Sequence, residues 1–277
     1  MANLYEQVNT HYSSIAREDE ASNAEHMKKV ALSFGYNVED LACIPDGSNL
    51  GVSCGNPLTI AGLKEGETVV DLGCGGGFDV FQAARKVGVK GLVIGVDLSD
   101  DMLARARANA EKSSTTNVKF VKTPITEIEL PSDSTDCIIS NCVINLVPHD
   151  DKHLVFKEIY RLLKAGGRVS VSDLLAKKQI TPELQSHLGL YVGCISGASL
   201  VGEYENWLKE AGFQDIMLVN KNSDINIYKE RVQEDEENSS SCCGTKIPVS
   251  ETNNAVANID FNEWVGAFNI YAVKPSS

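Results

Sequence analysis

The chain has 277 residues, 43% of them hydrophobic, which is ordinary for a globular protein and enough for one main core with additions. Its 25 basic residues against 38 acidic ones, a net charge of −13, repel a phosphate backbone and argue against nucleic acid as a partner. There is no basic-then-apolar leader and no apolar run near the roughly 18 residues of a membrane span, so a cytoplasmic protein with no membrane partner is expected, its eight cysteines free thiols.

The first forty residues carry apolar positions at helical spacing in "NLYEQVNTHYSSIARE" and "AEHMKKVALSFGY", which predicts two short helices ahead of any sheet. From "ETVVDLGCGGGFDVFQAARKVG" onward, β-branched runs alternate with amphipathic segments. Strands are predicted near 68–72, 91–97, 117–121, 135–141 and 167–174, and helices near 78–87, 99–112 and 151–164. That alternation is the signature of an α/β, doubly wound parallel sheet. After Asp173 the pattern loosens into two or three helices with a Gly-rich bend, which form a lid over the strand ends in this reading, before strand-like "FQDIMLVN" (213–220). The acidic, serine-rich tract beginning "KERVQEDEENSSSCCG" has no apolar period and reads as a disordered excursion over 231–258. The chain closes on alternating "WVGAFNIYAVKP" (264–275), a last strand. The expected divisions are therefore 1–55, an N-terminal helical segment; 56–176, the core; 177–230, the lid and a late strand; 231–258, the acidic loop; and 259–277, the C-terminal strand.

"VVDLGCGGGFDV" puts Asp71 at a strand end, then Gly73, Gly75 and Gly77, then a helix. Residues without side chains let a ligand approach the backbone of such a turn. The dinucleotide pattern G-x-G-x-x-G fails because Phe78 occupies its last position, so a pyrophosphate seated on the helix N-terminus is a poor match. The spacing G-x-G-x-G after an acid instead resembles the first motif of class I S-adenosylmethionine-dependent methyltransferases. Asp97, ending "GLVIGVD", stands where an acid can accept both ribose hydroxyls, and Met102 where it can pack on an adenine. A tight turn and helix cap with no cofactor is the plainer alternative, weakened by the joint spacing of these residues.

Three cysteines raise a separate question. Cys54 precedes the first strand, Cys142 follows the fourth in "IISNCVINLV", and Cys194 lies on the lid in "LYVGCISGAS". Their separations are unlike a C-x-x-C zinc pair, and each one alone reads as a small buried hydrophobe. In a doubly wound sheet, however, the first and fourth strands are neighbours whose ends flank the ligand crevice, and a lid can supply a third thiol.

Taken in order, "SCGNPL", "DLGCGGGFD", "VIGVD", "IISNCVINLVP", "LLKAGGRVSVSD" and "YVGCISGAS" resemble the motif set of the arsenite methyltransferases, over about residues 33–220. The resemblance implies a seven-stranded Rossmann-like methyltransferase sheet with N-terminal helices and a helical lid and C-terminal extension. It also implies trivalent arsenic, free or as a glutathione conjugate, held by Cys54, Cys142 and Cys194. S-adenosyl-L-methionine would be bound at Asp71, Gly73, Gly75, Gly77, Asp97, Met102, Ile125 and Asn141, and a thiol reductant such as glutathione or thioredoxin would serve as partner. A monomer is expected. The chemistry is consistent: a soft pyramidal centre takes three thiolates and keeps a lone pair for attack on the methyl carbon. Two rival readings keep less of this, a methyltransferase for a small organic molecule or quinone, and a thiol-rich metalloid binder without turnover.

Some features depart from the family or stand outside it. Family members often have a fourth cysteine further upstream, whereas this chain has no thiol before Cys43, which either takes a redox role or is filler. Ser53 stands where several relatives have tyrosine. Cys242 and Cys243 in the acidic tract are either a capture pair for arsenic or inert, and Cys74 and Cys137 are assigned to packing. His149 and His153, at i and i+4, have zinc-compatible spacing but no third ligand, and a solvated first helical turn is the simpler reading. Trp207 and Trp264 are assigned to the core.

Overall fold

The computed structural model describes residues 4–17, 24–182, 194–228 and 259–276. Its strands are β1 (Thr68–Leu72), β2 (Leu92–Asp97), β3 (Val118–Lys122), β4 (Thr135–Asn141), β5 (Leu163–Ala176), β6 (Gln214–Asn220) and β7 (Val265–Val273). They form one sheet in the order β3-β2-β1-β4-β5-β7-β6. The first five run parallel, and β7 runs antiparallel to both its neighbours. β1 and β4 are buried over most of their length, which explains why Val69, Val70, Ile138 and Ile139 form near-continuous apolar runs instead of alternating with polar residues.

The helices are α1 (Leu4–Arg17), α2 (Ala24–Ser33), α3 (Val38–Ala42), α4 (Leu58–Ala61), α5 (Phe78–Val87), α6 (Asp100–Lys112), α7 (Lys152–Leu162) and α8 (Val201–Ala211). Ser99 caps α6 by accepting from the Met102 amide, with Asp100 and Asp101 at the positive end of the helix dipole. α1 lies against α6, where Ser13 meets the Ser99 hydroxyl at 2.9 Å and Arg17 forms a fork with Asp101. The last strand of the chain, β7, inserts between β5 and β6, so the segments 56–176, 177–230 and 259–277 share a single sheet.

Two differences from the sequence reading have local causes. β5 begins at Leu163, not near 167, because Leu163 already has an extended backbone and pairs with Thr135; an irregularity in the pairing follows between Thr135 and Cys137. Of the helices anticipated after Asp173 as a lid, α8 is described and packs against α7 and β6, with Tyr204 and Leu208 in the main core and not over the cleft, while 183–193 and the acidic tract with Cys242 and Cys243 lie outside the described residues. Among the described residues no helix is long and apolar enough to cross a membrane.

Candidate functional site

The chain moves outward from β1 through β2 to β3 and then returns to place β4 on the other side of β1. This reversal opens a crevice beyond the carboxyl ends of β1 and β4, the place where open α/β sheets bind ligands. A cleft there is lined by Asp71, Gly73, Gly75, Asp97, Met102, Ile125, Asn141 and Cys142, with Tyr5, Val8, Asn9 and Tyr12 of α1 as one wall. Gly73 has φ +66°, and a Cβ there would lie 2.4 Å from a Val143 methyl, so the turn excludes any side chain at this point. Gly77 is not part of the lining; it serves as the N-cap of α5. Asp97 accepts the Gly75 amide and the Ser99 amide, each at 2.9 Å, which ties the glycine turn to the end of β2. At the α1 wall, Asn9 presents a buried Oδ1 with no hydrogen-bond partner among the described residues.

Three carboxyl groups crowd this cleft. Burial pushes Asp71, Asp79 and Asp97 above the usual carboxylate range, Asp71 further through its two acidic neighbours and Asp79 up to about 6. Among the described residues, none of the three has a salt bridge. Asp79 was not apparent in the sequence, where an acid in the first turn of a helix reads as a dipole partner; here it accepts from Tyr36 Oη at 2.7 Å and Asn141 Nδ2 at 3.0 Å.

Asn141 joins this acidic side to the cysteines. Its Nδ2 also donates to Tyr36 Oη and to the Gly55 carbonyl, both at 2.9 Å, and its Oδ1 accepts the Cys54 amide at 3.2 Å. Cys54, Cys142 and Cys194 are all buried in one apolar cluster with Leu146, Leu174 and Phe261. Cys142 and Cys194 both have left-handed backbones, φ +60° and +65°, a conformation uncommon for residues with a Cβ. The Cys194 thiol donates to the Cys142 carbonyl at 2.7 Å. Burial, then the nearby Asp173, pushes that thiol well above its ordinary value.

The expectation of free thiols needs correction at two positions, because Cys54 and Cys142 are joined as a disulfide with Cα atoms 5.6 Å apart. Convergence of the two loops brings the pair within bridging range, which their separation of 88 residues could not reveal. In this state only Cys194 of the three is a thiol. Cys43 is free and exposed, while Cys74 and Cys137 are free and packed among apolar neighbours such as Val69 and Ile139.

Gly55 sets how closely the Cys54 loop approaches the sheet. A Cβ at this position would lie 2.5 Å from the Ser172 Cβ on β5. Gly55→Ala is expected to cost about 1–3 kcal/mol through overpacking, read as a lower urea midpoint at an unchanged slope.

Behind the cysteines lies a buried polar network that the sequence did not announce. Asp173 accepts Asn145 Nδ2 and Tyr204 Oη, each at 2.9 Å, and burial raises its carboxyl to about 6. One Asp173 oxygen and the Cys54 and Cys142 sulfurs lie within 4.8 Å of one another, the one group of three metal-capable side chains among the described residues. The predicted third ligand Cys194 is outside it, its thiol on the Cys142 carbonyl, and so are the histidines: His149 pairs with Glu203 at 3.4 Å and His153 contacts the Asp150 carbonyl. Trp207 stacks on Phe156 in the main core, and Trp264 borders the cysteine cluster beneath Lys178.

A family model described as a methyltransferase domain matches residues 63–212. The chain is 41% identical over 204 residues to an arsenite methyltransferase of Halobacterium salinarum, covering 74% of this chain and 50% of that protein. The chain spans about half the length of the curated relatives it matches. Among solved structures it is similar to an arsenic(III) S-adenosylmethionine methyltransferase from Chlamydomonas reinhardtii, at 26% identity and TM-score 0.57 over 89% of this chain and 73% of that one. A geranyl diphosphate C-methyltransferase of Streptomyces coelicolor shares the fold at TM-score 0.68 and 16% identity, over 99% of this chain and 98% of that one. The parallel sheet with its crevice at the β1/β4 reversal, the family match over more than half the chain and these likenesses agree: the chain belongs to the methyltransferase-domain family, with arsenite methyltransferases among its relatives.

Proposed function

We propose that the protein transfers methyl groups from S-adenosylmethionine to trivalent arsenic held by Cys54, Cys142 and Cys194. The observation that supports this reading is the burial of three cysteines remote in sequence in one apolar cluster beside the cleft, with Cys142 lining the cleft and the Cys194 thiol on the Cys142 carbonyl. An organic substrate gives no reason for three sulfurs there, whereas a soft three-coordinate centre does.

The cleft suits the cofactor. Carboxylates without salt bridges suit a cationic ligand, the bare glycine turn admits it, and the orphaned Asn9 Oδ1 offers an acceptor. Asp97 retains lone pairs for ribose hydroxyls beyond its two amide contacts, and Met102 and Ile125 supply apolar walls for the adenine. When bound, the cofactor supplies a methyl group on an electron-poor sulfonium. The residues of the chain then orient and exclude water: α1 forms one wall of the cleft, Asn141 fixes Cys54 relative to the acids, and the left-handed turns at Cys142 and Cys194 accompany the contact of the Cys194 thiol with the Cys142 carbonyl. Each arsenic–thiolate bond forms as a hydroxide or thiol ligand leaves with the cysteine proton. The arsenic lone pair would be the nucleophile toward the methyl carbon, with S-adenosylhomocysteine as the leaving group, and no general base would be needed.

The disulfide is the oxidised form of two of the proposed ligands, so arsenic can bind only after an external dithiol or two glutathione molecules reduce the Cys54–Cys142 bridge. The decisive assay supplies reduced protein, arsenite, glutathione and methyl-labelled cofactor. Labelled methylarsenicals support the reading, and arsenite binding without labelled product reduces the protein to a sequestering one.

The acid cluster gives cofactor binding a pH dependence. A cationic ligand is attracted by ionised carboxylates; burial raises Asp71 and Asp97 and lifts Asp79 to about 6, so protonation of Asp79 removes its attraction as pH falls through about 6. The affinity for S-adenosylmethionine is expected to rise about tenfold between pH 5 and pH 7, measured by calorimetric titration.

A further inference from the structure

Lys152, the first residue of α7, is 1% exposed. Its ammonium donates to the Gly197 carbonyl, to Ser199 Oγ at 2.9 Å and to Asn145 Oδ1 at 3.2 Å, using all three protons on neutral acceptors. Asn145 passes the contact on to Asp173, whose carboxyl group favours the charged ammonium. Burial lowers the ammonium to about 8, with Asp173, the Cys194 thiol and Glu203 opposing, so it remains largely protonated at neutral pH.

As a device for stability this lysine is poorly placed. It stands at the positive end of a helix dipole, and a buried ammonium gives up hydration that neutral acceptors only offset. What it does supply is a directed anchor. Two of its three acceptors lie on the turn between Cys194 and Leu200, and the same turn is joined to the end of β5 where the Ala176 amide donates to the Ser199 carbonyl at 2.8 Å. With the turn held at Gly197 and Ser199, Cys194 takes its left-handed conformation and sets its sulfur on the Cys142 carbonyl.

We propose that Lys152 is the positioning residue for the third arsenic ligand, pinning the Gly197–Ser199 turn so that Cys194 is held with its thiol on the Cys142 carbonyl, next to the Cys54–Cys142 pair. The inference rests on the three-thiol reading above. It separates the substrate side from the cofactor side, because Lys152 does not line the cofactor cleft.

The test uses the full chain, reduced, as Lys152→Met and Ser199→Ala. For Lys152→Met the KM for arsenite is expected to rise about 10- to 100-fold, the range for losing hydrogen bonds to a charged group, while the KM for S-adenosylmethionine stays within about twofold. Arsenic X-ray absorption of the variant should show the sulfur count falling from three to two, which a general loss of folded protein does not produce. Ser199→Ala should raise the arsenite KM by a smaller factor in the same direction. An unchanged arsenite KM in folded Lys152→Met overturns the inference, as does a parallel loss of both affinities. If Lys152→Met fails to fold, Ser199→Ala decides, its raised arsenite KM supporting the inference and an unchanged value overturning it. Equilibrium dialysis of the reduced wild type with arsenite separates the two levels: no binding overturns the three-thiol reading and this inference with it, whereas binding that Lys152→Met fully retains overturns the inference alone.

Discussion

Cys142→Ser and Cys194→Ser should each lower arsenite methylation by about 100-fold or more, with affinity for S-adenosylmethionine almost unchanged. A serine oxygen is a hard, weakly acidic donor, so the arsenic loses one soft ligand and with it the pyramid that presents its lone pair. The comparison must be made under reducing conditions. Oxidised wild type carries a bridge closing 88 residues, and chain-entropy arguments give that bridge about 4–5 kcal/mol, which Cys142→Ser forfeits. With reductant present neither protein has the bridge, and a loss of rate reports on the arsenic site. Methylation of an organic acceptor that survives both substitutions would favour the rival methyltransferase reading.

Asn141→Ala is expected to lower kcat/KM by about 100-fold, but through both substrates at once. The single amide touches Tyr36, Asp79, the Gly55 carbonyl and the Cys54 amide, so its loss strands buried polar groups on the cofactor side and the cysteine side together. Each stranded group costs about 1–3 kcal/mol, so a lower denaturation midpoint should accompany the kinetic loss. The diagnostic is the joint rise of the KM for arsenite and for S-adenosylmethionine, in contrast to the one-sided effects of the cysteine and Lys152 substitutions. A change confined to one substrate would break the claim that Asn141 couples the two halves.

Much of the fold could be read from local chemistry. Uninterrupted Val and Ile runs marked β1 and β4 because parallel strands buried on both faces need no alternation, and a carboxylate ending β2 marked Asp97. The glycine turn was legible for the same reason, although Gly77 serves the helix cap and not the cleft. The remaining features depend on tertiary proximity. Asp79 looks like an ordinary helix-start acid until Tyr36 and Asn141 meet it. Lys152 looks like a solvated charge after "PHDD" until the turn after Cys194 folds over it. The union of Cys54 and Cys142 required two loops to converge on the end of β5, with Gly55 pressed against Ser172, and no periodicity encodes that approach.

The central claim concerns how arsenic is held, and arsenic K-edge X-ray absorption on the reduced protein with one equivalent of arsenite measures it most directly. Three sulfur neighbours and no oxygen are expected in the wild type, with one sulfur lost in each of Cys54→Ser, Cys142→Ser and Cys194→Ser. A wild-type centre bound by oxygen, or by fewer than three sulfurs, or a sulfur count that any of these substitutions leaves intact, would contradict the account.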